Sequence, residues 1–355
     1  MDTVPAPAFP GPDWSALPAD LLISVFSALE MPDLLVSGAV CRSWHAQSSS
    51  TRRLGLYSAA SATQGPWLLY SSPDRDGDTA TLLRLSTRRV HHATALPGPP
   101  FRSRYVVGSS HGWLVAADEQ SELHLLNPVT RAQISLPPLR TLKPVRFLYR
   151  NKTEFVGHVI YDITPVSPTP DYQHWAPNYK PADTRYNLYN RAVLSSDPSD
   201  DPNCIVVLIH NPSCQLSFAR VGDSQWTWVN PESYCINYHD CIFNEEDGLF
   251  YVLGRSGDIS TFDLSGPDPV MNFIVEPFEI SMHCTKYLVR APWGDLLQVW
   301  RYHGVREDRE SKTNKVIVYK TDLVEQEIIK VKDLHGHALF VGFSSSFFVS
   351  VNHFP

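Results

Sequence analysis

The side chains best suited to chemistry in this chain are cysteines and histidines at short spacings. Cys235-x-x-x-His239-x-Cys241 could present three soft donors to a metal, as could Cys204, His210 and Cys214. The first spacing is not that of the common zinc modules, and both groups fall in apolar runs of strand length, where a buried cysteine behaves as a small hydrophobe. His91-His92 and His335-Gly336-His337 have no carboxylate within sequence reach that could orient them for proton transfer, so they read as loop histidines. Gly254-Arg255-Ser256-Gly257-Asp258 superficially resembles a nucleophile loop. It lies between the apolar runs YVL and ISTF, however, and reads as a hairpin turn in which Gly and Asp supply the required backbone angles. No G-x-S-x-G elbow, phosphate-cradling glycine loop or H-E-x-x-H pair occurs. The reading is a chain with no active site, no metal and no cofactor of its own.

Positions for binding are better marked than positions for catalysis. Between Trp14 and Trp44 the apolar residues follow helical spacing: Leu17, Leu21, Leu22, Val25, Phe26 and Leu29 make one stripe, and Leu34, Leu35, Val40, Cys41 and Trp44 continue it after a break. Pro18 stands where a first-turn proline is tolerated, and Met31-Pro32-Asp33 is expected to end one helix and open the next. A segment this short cannot bury so much apolar surface by itself, because domains below about 40 residues normally need a disulfide, a metal or a partner. The surplus predicts docking.

From Pro66 the texture changes to short apolar runs separated by Gly, Pro, Asp and Asn. Gly112-Trp113-Leu114-Val115 and Gly248-Leu249-Phe250-Tyr251 each open a unit whose second run ends at Asn127 and at Asp263 respectively. A third run follows in both, AQISLP and VMNFIV. Looser openings at Gly65, Phe155, Cys204, Gly294 and His337 space the starts by about 45 residues, a period typical of propeller blades. The expected fold is mainly β: a β-propeller of six to seven blades preceded by a small all-α module. The division reads as a Pro-rich tail over 1–13, the helical module over 14–54, a linker over 55–64 and the propeller over 65–355.

Two families share these residues. Leu17-Pro18-x-Asp20-Leu21-Leu22, Phe26-x-x-Leu29, Pro32-x-x-Leu35 and Val40-Cys41-Arg42-x-Trp44 resemble the F-box, the segment by which receptor subunits of SCF-type ubiquitin ligases hold a Skp-type adaptor. HGWLVAAD, LHLLNPVTRAQISLPPL, NRAVLSS, IVVLIH, WTWV and DGLFYVLGRSGDISTFDL resemble, in that order, a large plant family joining an F-box to a kelch-like domain. Members of that family run on into a Pro-Asn-x-x-Tyr-Phe segment. This chain ends at Pro355, so its last blade is expected either to close without that strand or to lack it.

The resemblance implies a substrate receptor of a cullin-based ligase. Leu17, Pro18, Leu21, Leu22, Ile23, Phe26, Leu29, Pro32, Leu35, Val40 and Trp44 would bind the adaptor, which in turn joins the cullin scaffold, and the propeller would bind an unidentified target protein. The alternative is an F-box protein outside a ligase that sequesters the adaptor or a partner. Residues 165–187 are a Pro-rich loop carrying Tyr172, His174, Trp175, Tyr179 and Tyr186, whose aromatics either pack over the propeller or form a recognition surface, in which case Tyr172, Trp175 and Tyr179 would bind the target. The charged stretch 303–314 reads as a solvated hairpin tip.

Composition limits the other partners. A net charge of -7 with no basic stripe argues against nucleic acid. The apolar runs are too short to span a membrane, and the first residues carry Pro and Asp where a secretory leader would be basic and then apolar. Six cysteines without framework spacing predict free thiols in a reducing compartment, cytoplasm or nucleus.

Overall fold

A computed structural model of the chain describes residues 13–29, 31–53, 67–71, 79–85, 88–93, 96–161, 178–212, 214–229, 237–278, 284–304 and 312–353. Three helices come first: α1 (Ala19–Ser27), α2 (Met31–Ser37) and α3 (Arg42–Arg53). Seven antiparallel sheets follow among the described residues, each built from strands consecutive in sequence. The first holds β1 (Trp67–Tyr70), β2 (Ala80–Arg84) and β3 (Val90–Ala93), and the second β4 (Tyr105–Ser110), β5 (Trp113–Ala117), β6 (Leu123–Leu126) and β7 (Gln133–Ser135). The third holds β8 (Val145–Arg150), β9 (Glu154–Ile160) and β10 (Asn178–Tyr179); helix α4 (Pro181–Leu188) then leads into the fourth, β11 (Tyr189–Leu194), β12 (Ile205–His210), β13 (Gln215–Arg220) and β14 (Thr227–Val229). The fifth comprises β15 (Tyr238–Asn244), β16 (Leu249–Gly254), β17 (Ile259–Asp263) and β18 (Val270–Val275). The sixth comprises β19 (Cys284–Arg290), β20 (Leu296–Gly304), β21 (Lys312–Asp322) and β22 (Glu327–Lys330), and the seventh β23 (His337–Phe340) with β24 (Phe347–Ser350).

The burial pattern explains the stacking. All of β5 and all of β12 are buried, so their continuous apolar sequences (WLVAA, IVVLIH) face a neighbouring sheet on either side. The fourth strands β18 and β22 are largely exposed, as edges on the rim should be. Apolar clusters join the first sheet to the second, the fourth to the fifth, the fifth to the sixth and the sixth to the seventh.

The third sheet breaks the sequence. β4 packs directly on β11, so closely that Gly108 has only the Ala192 backbone where a side chain would stand. Val145 and Ile160 of the third sheet join the cluster shared by the second and fourth sheets without coming between those two strands. The repeat unit opening at Phe155 therefore packs beside the direct contact of the second and fourth sheets rather than between them.

The turns follow side-chain chemistry that the sequence displays. Asn127 Oδ1 accepts from the N–H groups of Val129 and Thr130, and Asp263 Oδ1 accepts from that of Ser265, each closing the run it ends. The stretch Gly254–Asp258 is a turn, with Gly257 at a φ of 84° and Asp258 Oδ1 accepting from Ser256 N.

The seventh sheet has two strands among the described residues, and its connecting loop reaches into the ring. Ser109 N donates to Ser344 O, and Arg191 Nη1 donates to the carbonyls of Gly342 and Phe343. The last sheet is thus fastened to β4 and β11 through backbone carbonyls rather than through a shared ladder.

Candidate functional site

The helical module divides its apolar stripe in two. Leu22, Phe26 and Leu34 are 0% exposed and form a small core, with Leu17, Leu29 and Trp44 packed against it. The Trp44 ring meets Phe26 edge-on at 5.6 Å, and its Nε1 donates to Trp14 O at 2.9 Å. Ser48 Oγ donates to Leu34 O, which pins α3 to α2. The other half of the stripe faces solvent: Trp14 is 61% exposed, Leu21 50%, Val25 49%, Val36 61% and Val40 60%. Leu21 and Val25 stand one turn apart on α1, so they form one apolar patch.

Among the residues expected to bind an adaptor, Leu17, Leu22, Phe26, Leu29 and Trp44 therefore build the module's own core, while Leu21 and Val40 are free to touch a partner. Pro18 is exposed and is the N-cap of α1, and Ile23 is half-buried. Pro32 and Leu35 lie in α2, with side chains outside the described residues. Met31-Pro32-Asp33 opens α2, and α1 has already ended at Ser27 with Ala28 as its C-cap.

The module also touches the sheets. Asp33 forms an ion pair with Arg89, Nη1 to Oδ2 at 2.9 Å, and Val36, Gly38, Ala39, His45, Ser48 and Ser49 share a cavity of about 520 Å³ with Val129, Thr130 and Arg131.

The candidate target-binding loop is only partly within view. Tyr172, His174 and Trp175 lie outside the described residues. Tyr179 sits on β10, half-buried, with its ring packed on the cluster between the second and fourth sheets. Tyr186 on α4 is 55% exposed.

The residues that could do chemistry are dispersed into structural contacts. Cys235 lies outside the described residues. His239 Nδ1 accepts from Lys286 N at 3.3 Å, and burial together with the charges of Lys286 and Arg255 pushes its pKa down to about 4. Burial raises the thiols of Cys204, Cys214 and Cys241, which disfavours the thiolate a metal or nucleophile role needs. Among the described residues no three His, Cys, Asp or Glu side chains are grouped as metal ligands would be. His335 and His337 pack on Trp293, with ring centroids at 4.7 and 5.6 Å. Residues 305–311 of the charged stretch lie outside the described residues, and Lys312 begins β21.

A family model described as KIB1-4 beta-propeller matches residues 82–355. The chain belongs to the KIB1-4 beta-propeller family. An F-box-like model matches residues 14–54, the span of the helical module. Relatives in Arabidopsis thaliana include "Putative F-box protein At5g55150", 28% identical over 94% of this chain and 79% of its own length. "F-box protein SKIP23" is 24% identical over 96% of this chain and 80% of its own length. Against "Putative F-box protein At4g22180" the chain spans 57% of the relative's length at 27% identity. The sequence and its relatives thus mark an F-box protein with a propeller domain, of the kind found in plants. Among solved structures, an oligogalacturonate lyase in complex with manganese is 11% identical, covering 71% of this chain and 58% of its own, with a TM-score of 0.34, a likeness too low to bear on function.

Sequence reasoning missed the charges inside the ring. Arg191, Asp240 and Lys286 are all buried within the apolar runs YNRAVL, YHDCIFN and CTKYLVR. A charge interrupting a run that must be buried was the available signal, since such a charge requires a partner.

Proposed function

We propose that this protein is the target-recognition subunit of an SCF-type cullin ubiquitin ligase. In this reading the F-box holds a Skp-type adaptor, the adaptor joins the cullin scaffold, and the propeller holds the target. The observation that carries the reading is the exposed apolar face of the F-box. With Leu22, Phe26 and Leu34 already forming a core, Leu21, Val25, Val36 and Val40 leave about half or more of their surface in solvent. Exposed apolar patches of this kind mark protein–protein interfaces. The chain supplies no chemistry of its own. Its contribution is effective concentration, holding target lysines near the ubiquitin-charged enzyme that the scaffold brings. The free cysteines Cys41, Cys204, Cys214, Cys241 and Cys284 fit a reducing cytoplasmic or nuclear setting.

The test is co-purification of the full chain with a Skp-type adaptor, followed by ubiquitin transfer in a reconstituted ligase. Adaptor capture with target-dependent transfer supports the reading. Adaptor capture without transfer to any accumulated partner supports sequestration instead, and absence of capture overturns both.

A further inference from the structure

We propose that the end of the propeller where β4 and β11 begin is a binding site for an acidic peptide segment, with Arg185 holding the anionic group and Tyr186, Tyr105 and Phe343 forming an aromatic wall. The inference rests on the reading of the propeller as the target-binding domain and gives that target a chemistry.

It starts from two arginines that are equally buried and differently paired. Arg191 is 6% exposed and holds the carboxylate of Asp240. Arg185, on α4, is also 6% exposed, yet it forms no ion pair with a carboxylate among the described residues. Its Nη1 donates to Ser103 O, its Nη2 donates to Tyr186 Oη at 2.9 Å, and its Nε is buried with no hydrogen-bond partner among the described residues. A guanidinium has five N–H donors and does not lose its charge. Taking that charge from water without a counter-ion is costly, and a neutral carbonyl offsets only part of the cost. Arg104, one residue beyond Ser103, adds a second buried cation whose donors go to the carbonyls of Pro97 and Pro99 and to Gln133.

The surroundings fit a peptide better than a free ion. The Arg185 guanidinium lies 4.8 Å over the Tyr186 ring, Tyr186 meets Tyr105 edge-on at 4.9 Å, and Tyr105 meets Phe343 at 5.8 Å. Tyr186 and Phe343 are nevertheless about half exposed. Exposed aromatics around a buried cation present large area at low rotamer cost and can flank an anionic side chain on an extended segment. Phe343 also belongs to the loop that Arg191 holds inside the ring, so this wall is rigidly placed.

The experiment is fluorescence anisotropy on the full chain, using labelled hexaglutamate, hexaglutamine and a phosphoserine-containing peptide, with inorganic phosphate as competitor. Hexaglutamate or the phosphoserine peptide is expected to bind, more weakly as salt rises, and hexaglutamine is not. The ranking of the first two tells carboxylate from phosphate. Arg185→Gln should weaken binding about tenfold or more and Arg185→Lys less so, while the exposed Tyr186→Ala should weaken it severalfold at an unchanged melting temperature. Equal binding of hexaglutamine, or wild-type binding by both Arg185→Gln and Tyr186→Ala, overturns the proposal. If Arg185→Gln does not fold, the exposed Tyr186→Ala and a Phe343→Ser variant decide it. Adaptor capture is measured on the same samples. Capture without acidic-peptide binding removes this site alone, whereas peptide binding without capture removes the ligase reading.

Discussion

Arg191 Nε lies 2.6 Å from Asp240 Oδ1, and both side chains are buried where β11 meets β15. Asp240 also accepts from Leu288 N of β19 at 2.9 Å and from Cys241 N at 2.7 Å, while Arg191 reaches Gly342 and Phe343 of the last sheet. One charge pair therefore binds three innermost strands and the closing loop. Burial pushes the Asp240 carboxyl up, and Arg191 with the two backbone donors opposes that push.

Breaking this pair should be far worse than replacing it. Asp240→Ala leaves Arg191 buried and uncompensated, a situation that costs about 3–5 kcal/mol, whereas an Arg191→Met, Asp240→Leu double variant should recover much of the loss. Denaturant titration of the wild type, Asp240→Ala, the Arg191→Met and Asp240→Leu single variants and the double variant checks this. A double variant as damaged as the sum of the singles would show that the pair is not coupled.

The approach of β4 to β11 predicts a second sensitive position. A Cβ on Gly108 would collide with Ala192 O and stand 2.8 Å from Ala192 C, both backbone atoms that cannot step aside as a side chain can. Gly108→Ala is expected to lower stability by about 1–3 kcal/mol through forced separation of the second and fourth sheets. Gly98→Ala, with nothing within 4 Å of the added carbon, serves as the control. Equal melting temperatures for the two variants would refute the close approach.

The divided F-box stripe separates binding from folding. Leu21→Ala with Val25→Ala should abolish adaptor capture and leave the melting profile unchanged, since both side chains are half exposed. Leu22→Ala should destabilise the module by about 2–5 kcal/mol and weaken capture only through unfolding. Pull-down and thermal melt on the same preparations distinguish the two. Wild-type capture by the Leu21, Val25 pair would sink the docking reading.

How far the sequence disclosed all this differed by element. The helical module was legible because Leu17 to Trp44 repeats at helical spacing, yet spacing alone does not say which leucines turn inward. Leu21 and Leu22 are neighbours with opposite fates, decided by where α3 packs. The sheets were legible from their turns, since Asn127 and Asp263 cap backbone N–H groups locally and need no distant contact. Phe155 opened an apolar run like the others, but its place beside the second and fourth sheets depends on the β4–β11 contact, which is non-local. The site around Arg185 was hidden for the same reason: its partner Ser103 lies 82 residues away in the chain.

The last prediction concerns acid. His210 is fully buried, with Nδ1 donating to Asn211 O at 3.1 Å and Nε2 2.8 Å from Ser217 Oγ, which donates to it in the neutral ring. Burial pushes its pKa from the ordinary 6.5 down to about 4. The folded value lies below the unfolded one, so the unfolded chain takes the proton first. Stability is therefore whole above pH 6.5 and is lost as pH falls from 6.5 towards 4. The shift corresponds to about 3 kcal/mol across that window. His239, also pushed down to about 4, adds in the same direction. Glu122 and Asp258 are pushed up by burial and run the opposite way just above the usual carboxylate range, so the whole-protein profile mixes both. The difference between wild type and His210→Gln isolates the one ring. Denaturant midpoints measured between pH 7 and 4.5 should fall less steeply for the variant, by up to one proton's worth of slope. Parallel profiles would mean that His210 is not held neutral by the fold.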